Sequence, residues 1–467
     1  MTGYRKQLTS CVLILVVLLC KSVQAEPTNG PLRICPDNPR YFADADGKAI
    51  MLVGSHVWYN LVDMGAQDPP KPFDYEVYLD WMGKYNHNFM RMWAWEMVKW
   101  DTQGNNPQIR KETTEFHVHP HPWQRTGPGK ALDGKPKFDL TKFEPEYFQR
   151  LTDRVDLALN RGIYVSVMLF EGWAMQRVED GWKSHPFHPE NNINGINGDS
   201  NRDGKGLEVH ELVVAAVTEI QKAYIRKVVD TVNLFDNVLY EISNENHPES
   251  TQWQYAMIRY IREYEKGKPI QHPIGMTFQF SGGANKNLFD SPADWISPNP
   301  EGGYRDNPPA NNGEKVILTD TDHLWGIGGN QAWVWKSVTR GLNPIFMDPY
   351  DGIVLGKRFD SDFEPIRRSM GYALRFVRQM DLNECRPAAT GYCLSNPGRQ
   401  YLAYQTTAGD PVKLKLSSKE YSFEWFDPGS GKTITSGKIC GDEKRETTFS
   451  NPVEADAVLF VHLAKTR

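Results

Sequence analysis

Short apolar stretches alternate with amphipathic ones along most of this chain, from residue 50 to residue 380. The apolar stretches are rich in β-branched and aromatic residues, which favours strands, and the stretches between them have the apolar spacing of helices. Eight strands are predicted in this way, at 50–54, 88–93, 162–170, 238–242, 273–278, 294–297, 315–320 and 344–347. Helices are predicted at 75–85, 143–160, 212–232, 252–265, 331–340 and 364–380. This repetition predicts parallel strands joined by helices, and eight repeats predict a closed (β/α)8 TIM barrel.

An open, doubly wound sheet is the alternative architecture. Such sheets usually have a phosphate-binding glycine turn directly after the first strand. The first predicted strand here is followed by Ser55, His56, Val57 and Trp58, which do not form that motif. The barrel is therefore the preferred interpretation.

The pattern changes after Cys393 to short alternating strands separated by Gly, Pro and Asp turns. This pattern predicts a small all-β domain, which we interpret as a sandwich. The predicted class is therefore α/β, a TIM barrel over residues 26–383 followed by a β-sandwich domain over 384–467.

The N-terminus has the pattern of a secretory signal peptide. Arg5 and Lys6 precede the apolar run 11–20, which is too short to span a bilayer, and 23–25 ends in a small residue suited to cleavage. Residues 1–25 are thus predicted to be removed, and the protein to be secreted or periplasmic. A lipoprotein anchored through Cys20 is the weaker alternative, because Leu19 stands where a small residue is preferred.

Four cysteines remain after this segment. In an exported protein an even number suggests disulfides, so we predict a Cys385–Cys393 bridge and a Cys35–Cys440 bridge. Four free buried thiols are the alternative.

Composition excludes some partners. The formal net charge is −5, and no basic stripe is present, which argues against nucleic-acid binding. Aromatic residues make up 12% of the chain, and surplus Trp and Tyr can stack on sugar faces. No later stretch has the length of a membrane helix, no cofactor is predicted, and the oligomeric state cannot be read from the sequence.

Candidate site residues follow the predicted strands, because barrel active sites lie at the C-terminal strand ends. Glu245 comes just after the fourth strand and is preceded by Asn244. A carboxyl group there can protonate a leaving oxygen, and the amide can hold a sugar hydroxyl. The other candidates, in chain order, are His56, Arg91, Trp93, Trp95, Glu171, Trp173, Asp320, Asp322, His323, Trp325 and Asp348.

With these residues in place, the chain resembles the clan A retaining glycosidases, which include cellulases and β-mannanases. Arg91, Asn244 and Glu245 match the clan in type and strand. The resemblance implies that Glu245 is the acid/base and that the nucleophile follows strand seven. The clan usually has Glu there, whereas this chain has Asp320 and Asp322; we favour Asp320 and keep Asp322 open.

The resemblance implies a retaining double displacement on an oligo- or polysaccharide from a plant or microbial glycan. Arg91 would support the nucleophile, and Trp93, Trp95, Trp173 and Trp325 would be sugar platforms. The barrel with its C-terminal domain is also similar to bacterial apiosidase-like proteins, whose sandwich carries a collagen-binding label. The matching stretches are YLAY at Tyr401, WFDPGSGK at Trp425 and the terminal DAVLFVHL. A non-catalytic carbohydrate- or matrix-binding protein is the alternative function.

One further motif lies in the insertion after the third strand. Asp199, Asn201, Asp203 and Gly204 match the first half of a calcium loop. The twelfth position is His210, where such loops have Glu, so Glu208 or Glu211 would have to substitute as the ligand. A turn rich in Asn and Asp is the default interpretation, with a structural calcium as the alternative, and no metal ligand is predicted.

Overall fold

Eight parallel strands form the centre of the protein. A computed structural model describes residues 27–100, 115–178, 180–354, 363–388, 391–406 and 411–464. The predicted signal peptide lies outside these residues. The strands are β1 Gly54–His56, β2 Phe89–Met92, β3 Tyr164–Glu171, β4 Val238–Asn244, β5 Ile274–Thr277, β6 Trp295–Ser297, β7 Val316–Asp320 and β8 Asn343–Met347. Their order is β1-β8-β7-β6-β5-β4-β3-β2, and every pairing is parallel, so the predicted TIM barrel is confirmed.

The two ends of this sheet meet through an asparagine. The backbone N–H of Asn88 donates to the Val53 carbonyl at 3.0 Å, and the Asn88 side chain bonds Val53 N and Met51 O at 2.9 and 3.0 Å. Gly54 permits this approach, since a Cβ there would lie 1.8 Å from the Phe89 carbonyl oxygen. Because Met51 and Val53 bond to Asn88 in this way, β1 starts at Gly54, later than predicted.

Helices surround the strands. They are α1 Tyr75–Lys84, α2 Pro145–Leu159, α3 Trp173–Arg177, α4 Ala215–Val232, α5 Thr251–Glu265, α6 Asn285–Phe289, α7 Thr321–Leu324, α8 Gln331–Thr339 and α9 Glu364–Val377. Short 3-10 turns lie at Gly181–Ser184, Leu207–His210, Pro248–Ser250 and Glu301–Gly303. The helix predicted from 212 begins only at Ala215, and Leu212 and Val213 are exposed.

The barrel interior is apolar at one end and polar at the other. Side chains alternate along a strand, so residues two apart face the same side. Phe89, Leu239 and Leu318 belong to one buried apolar cluster, and the residues two further on are Arg91, Glu241 and Asp320. The polar layer thus lies at the C-terminal strand ends, above a packed apolar layer.

The long insertion after β2, together with a short segment between β1 and α1, forms two small sheets. Asp63–Gly65, Lys99–Trp100 and Phe116–His119 make one, and Trp123–Lys130 pairs with Pro136–Phe143 in the other. At the N-terminal end, Arg33–Ile34, Phe42–Ala43 and Ala49–Ile50 form a three-stranded antiparallel sheet.

The C-terminal region is all-β, as predicted. Its strands are β9 Arg386–Pro387, β10 Tyr392–Asn396, β11 Gln400–Gln405, β12 Val412–Leu414, β13 Glu420–Asp427, β14 Lys432–Cys440, β15 Thr447–Phe449 and β16 Ala457–Leu463. Six of them form an antiparallel sheet in the order β9-β10-β11-β16-β13-β14, while β12 pairs with β15.

One face of the six-stranded sheet packs on the barrel. Phe376 of α9 lies 5.2 Å from Phe426 and 5.5 Å from Phe460 between ring centroids, and Trp335 of α8 lies 6.3 Å from Phe426. A single apolar cluster therefore spans both parts. The domain boundary at 383–384 falls between α9 and β9 and stays a prediction.

The four cysteines are free thiols in this structure, so neither predicted disulfide is present. Cys35 and Cys385 lie in the barrel cluster, Cys393 packs within the C-terminal sheets, and Cys440 is exposed. Burial raises the pKa of Cys385 and of Cys393 to about 12, which keeps both thiols neutral. Separately, across the described residues no helix has the length and apolar character needed to cross a membrane.

Candidate active site

Arg91 on β2 connects the ends of β4 and β7. Its Nε and one terminal nitrogen donate to both oxygens of Glu241, at 2.9 and 2.5 Å. The same terminal nitrogen donates to Oδ1 of Asn244 at 2.6 Å, and the other donates to Oδ2 of Asp320 at 2.9 Å. Burial alone would lower the pKa of Arg91, but Glu241 and Asp320 outweigh it and raise that pKa. The guanidinium is therefore a fixed positive charge in the polar layer.

Asp320 is enclosed on every side. Besides Arg91, its oxygens lie 2.9 and 3.1 Å from Nε2 of His56, and Oδ1 accepts the backbone N–H of Asp322 at 2.9 Å. Burial by itself would raise the pKa of Asp320, but His56 and then Arg91 hold that pKa below its ordinary value. Asp320 is thus an ionised, fully buried carboxylate that also caps α7.

Replacing Asp320 with Asn is expected to destabilise the fold by about 3–5 kcal/mol, because Arg91 would lose one of its buried carboxylate partners and His56 would lose its partner at Nε2. The free energy of unfolding in urea measures this. Asp290→Asn is the matched control, since Asp290 pairs with Lys286 at the surface and such pairs contribute little. If the two variants had the same free energy of unfolding, Asp320 would not be the stabilising partner of Arg91 and His56.

Asp322 has a different environment from Asp320. Strand β7 ends at Asp320, so Asp322 lies in the first turn of α7 and not on the strand. Its Oδ2 is 3.5 Å from Arg91, and the residue is 7% exposed. Burial and then the charge of Asp320 raise the pKa of Asp322 to about 6. This carboxyl group is less tightly held and more accessible than Asp320.

Glu245 follows directly on β4. The residue is buried, and its φ of +43° is a conformation that non-glycine residues rarely adopt, which is typical of functional positions. Burial, then Asp322 and Glu171, raise the pKa of Glu245 well above its ordinary value. Glu245 is therefore suited to hold a proton near neutral pH.

Asn244 is oriented by two neighbours. Its Oδ1 accepts from Arg91 and lies 3.2 Å from Nε2 of His323, whose Nδ1 is 2.6 Å from the Ser297 hydroxyl. Burial and then Arg91 lower the pKa of His323 well below its ordinary value, so the ring is neutral. These contacts fit a ring protonated on Nε2 that accepts from Ser297. The Nδ2 group of Asn244 is then the one left to meet a ligand.

Glu171 ends β3 and caps the short helix α3. Its oxygens accept the backbone N–H groups of Trp173 at 2.9 Å and Ala174 at 3.1 Å. Burial raises the pKa of Glu171 to about 8, against the lowering effect of the Ala174 N–H, and Glu96 adds to the rise. The charges of Glu171 and Asp322 both raise the pKa of Glu245, and we call these three residues the acidic group.

The aromatic candidates divide by exposure. Trp93 is 1% exposed and stacks on His56, while Trp95 is 2% exposed and donates to the Trp58 carbonyl at 2.6 Å. Neither offers a ring face to a sugar in this structure, which contradicts their prediction as platforms. Trp173 and Trp325 are half-buried, and their role as sugar platforms stays a prediction.

Asp348 does not join the acidic group. Its two oxygens accept from Arg367 of α9 at 2.8 and 2.5 Å, and Oδ1 also accepts the Tyr350 N–H at 2.8 Å. The expectation that it binds substrate is therefore replaced by a structural role in which it ties β8 to α9.

Sequence reasoning missed several residues of this site. Glu241 binds Arg91, Ser297 orients His323, and Glu96 accepts from His185 and His210 at 3.3 and 2.8 Å. A signal for Glu241 was present, since a charged residue interrupts the apolar strand β4 at a position that faces the barrel interior. Glu96 also had a signal, since it follows strand two directly after Arg91, Trp93 and Trp95, whereas Ser297 has none.

Comparisons with known proteins agree with the fold. Residues 105–279 match the model of a domain of unknown function (DUF6298). No curated protein matches the sequence. A solved structure described as a glycoside hydrolase has 14% identity and a TM-score of 0.58, covering 94% of this chain and 98% of its own. A glycoside hydrolase family 5 structure from Bacteroides vulgatus ATCC 8482 has 14% identity and a TM-score of 0.59, covering 93% of each chain. The barrel and the β-region are thus shared with glycoside hydrolases.

Proposed function

We propose that the protein is a retaining glycoside hydrolase. The observation that carries this proposal is the pair of protonatable carboxyl groups, Glu245 and Asp322, buried together at the C-terminal ends of β4 and β7. Glycosidic cleavage needs two carboxyl groups with opposite tasks, one ionised and one protonated. The barrel fold shared with glycoside hydrolases supports the same reading.

Asp322 is our choice for the nucleophile in place of Asp320. The oxygens of Asp320 are already occupied by His56, Arg91 and the N–H of Asp322, so attack would require breaking those bonds. Asp322 is more exposed, and among the charged neighbours of Glu245 it has the larger effect on the Glu245 pKa. Asp320 then acts as a positioning residue that caps α7 and orients Arg91.

The reaction has two steps. Glu245 donates its proton to the leaving glycosidic oxygen while an oxygen of Asp322 bonds to the anomeric carbon, giving a covalent glycosyl ester. Water then attacks that carbon, gives its proton to Glu245 and releases Asp322. Two inversions give overall retention, and the mechanism requires the carboxyl groups to be about 5–5.5 Å apart during reaction. Asn244 offers its amide to a sugar hydroxyl.

The pH dependence of kcat/KM is expected to be bell-shaped. Asp322 must be ionised, so activity rises as the pH increases through about 6, the pKa to which burial and Asp320 raise this carboxyl. Glu245 must be protonated, and its raised pKa keeps the proton in place above that point. The rising and falling parts of this pH profile report apparent pKa values of Asp322 and Glu245 as an interacting pair. Activity that stayed constant from pH 7 down to pH 4 would contradict Asp322 as the nucleophile.

The substrate is proposed to be a neutral oligo- or polysaccharide, since the site is acidic and the half-buried Trp173 and Trp325 closely follow Glu171 and Asp322 along the chain. The resemblance of the sequence to apiosidase-like proteins places apiose-bearing plant glycans among the first substrates to test. We also propose that the reaction takes place outside the cytoplasm, because an export signal is predicted over residues 1–25. We do not propose collagen binding for the C-terminal region, because its six-stranded sheet packs on α8 and α9 of the barrel.

The deciding experiment is hydrolysis of a broad glycan panel by the mature protein, with the anomer of the first product followed by NMR. Retention on at least one substrate is the expected result. The Glu245→Gln variant, purified in the same way, controls for contaminating enzymes. If binding is detected without any hydrolysis across the panel, the protein is a non-catalytic carbohydrate-binding protein instead.

A further inference from the structure

A second acidic group lies in the insertion between β3 and α4, outside the proposed active site. Carboxylate oxygens of Asp199, Asp203 and Glu208 lie within 4.8 Å of one another. Asp199 and Glu208 are each 8% exposed, so two of the three charges are largely removed from water. Three carboxylates at this separation repel one another unless a cation lies between them.

The state of Glu208 points to a ligand. Its Oε1 accepts from the amide of Asn201, but its Oε2 is buried and has no hydrogen-bond partner among the described residues. A buried carboxylate oxygen without a partner is costly, and natural proteins rarely leave one. The nearest positive charge is exposed Lys205, 3.6 Å from Oδ2 of Asp203.

We propose that Asp199, Asp203 and Glu208 bind a structural Ca²⁺ ion. All the side-chain donors are hard oxygens, which suit Ca²⁺. Their spacing along the chain also fits, because Asp199, Asn201 and Asp203 occupy alternate positions and Gly204 makes the sharp turn with φ +80°. His210 stands at the twelfth position of the loop, where calcium loops have a Glu ligand, and Glu208 supplies that carboxylate here. The 3-10 turn Leu207–His210 directs Glu208 to the second acidic group and His210 to Glu96.

This ion would fix one wall of the active site. The turn that carries Glu208 also carries His210, which contacts Glu96 at 2.8 Å, and Glu96 accepts the backbone N–H of Glu171 at 2.9 Å. The next residue, Glu211, lies 3.2 Å from His247, two residues after Glu245. Binding of Ca²⁺ at the loop therefore holds the segment that supports β3 and β4 at their C-terminal ends.

The test uses the mature protein treated with EDTA and then titrated with CaCl2 by calorimetry. One Ca²⁺ per chain and a rise in Tm on addition are the expected results, with MgCl2 at the same concentration giving a smaller rise. Tb³⁺ provides a second measurement, since Trp182 packs against Gly206 beside the loop and would sensitise its luminescence; Ca²⁺ should displace it. Absence of Ca²⁺ binding at millimolar concentration by both methods would overturn the proposal.

The Glu208→Gln variant adds a prediction with a defined sign. It should bind Ca²⁺ at least tenfold more weakly than the wild type, yet be as stable as the wild type in EDTA or more so, because one of the repelling charges is gone. Glu219→Gln on α4, an exposed residue paired with Lys222, is the control and should leave Ca²⁺ affinity unchanged. Wild-type affinity in Glu208→Gln would refute the proposed ligand set, and so would a loss of stability that is equal in EDTA and in Ca²⁺.

Discussion

Replacing Glu245 with Gln is expected to lower kcat/KM on a natural glycan by about 10²–10⁴-fold, the usual contribution of a general acid. This corresponds to about 3–5.5 kcal/mol of transition-state stabilisation. Gln has nearly the same shape as Glu but cannot supply a proton. Burial and its acidic neighbours raise the pKa of Glu245, so the wild-type side chain holds the proton that the variant lacks.

Two comparisons separate this role from a structural one. Substrates with an aryl leaving group of low pKa need little protonation, so their cleavage should fall much less than that of the natural glycan. Substrate affinity, measured by calorimetry, should change little. Glu263→Gln on α5, which is exposed and paired with Lys266, is the matched control with wild-type activity. An equal loss for both leaving groups would argue against proton donation by Glu245.

The barrel was predictable because its signal repeats. Each of the eight strands was found from local apolar runs, and the count placed Asn244 at the end of strand four and Asp320 at the end of strand seven, as the structure has them. Strand β1 was placed too early, since the residues before Gly54 bond through the side chain of Asn88, an interaction between distant segments. Such contacts leave no local periodicity in the sequence.

The site was less predictable for the same reason. The sequence supplied Arg91, Asn244 and Glu245 by type and position, but it favoured Asp320 as the nucleophile and kept Asp322 open on the condition that strand seven continues. The chain turns instead into α7 at Thr321, so the enclosure of Asp320 by His56 and Arg91 became visible only in three dimensions. Trp93 and Trp95 are likewise buried by residues of another segment, since His56 and Trp58 pack against Trp93 and Trp58 also packs against Trp95.

Replacing Asp322 with Asn is expected to reduce turnover on the order of 10⁵-fold, as removal of a covalent nucleophile does in other enzymes. Asn cannot form the glycosyl ester. Asp320 cannot take the place of Asp322, because its oxygens are bonded to His56, Arg91 and the backbone N–H of residue 322. Folding should be nearly unchanged, since the contacts of the Asp322 carboxylate are long, at 3.5 Å from Arg91 and 3.9 Å from Nε2 of His323. Urea unfolding checks this, and Asp320→Asn provides the contrast of a variant that loses stability.

The nucleophile itself can be identified chemically. A 2-deoxy-2-fluoro glycoside with an activated leaving group, made for the sugar that the glycan panel identifies, slows the second step and accumulates the ester. Mass spectrometry of the digested protein should then find the sugar on Asp322. A label on Asp320 would reverse the assignment, and it would mean that the bonds from His56 and Arg91 break when the substrate binds. The structure argues against that outcome, because freeing Asp320 would break the buried bonds that its oxygens make with Arg91, His56 and the backbone N–H of Asp322.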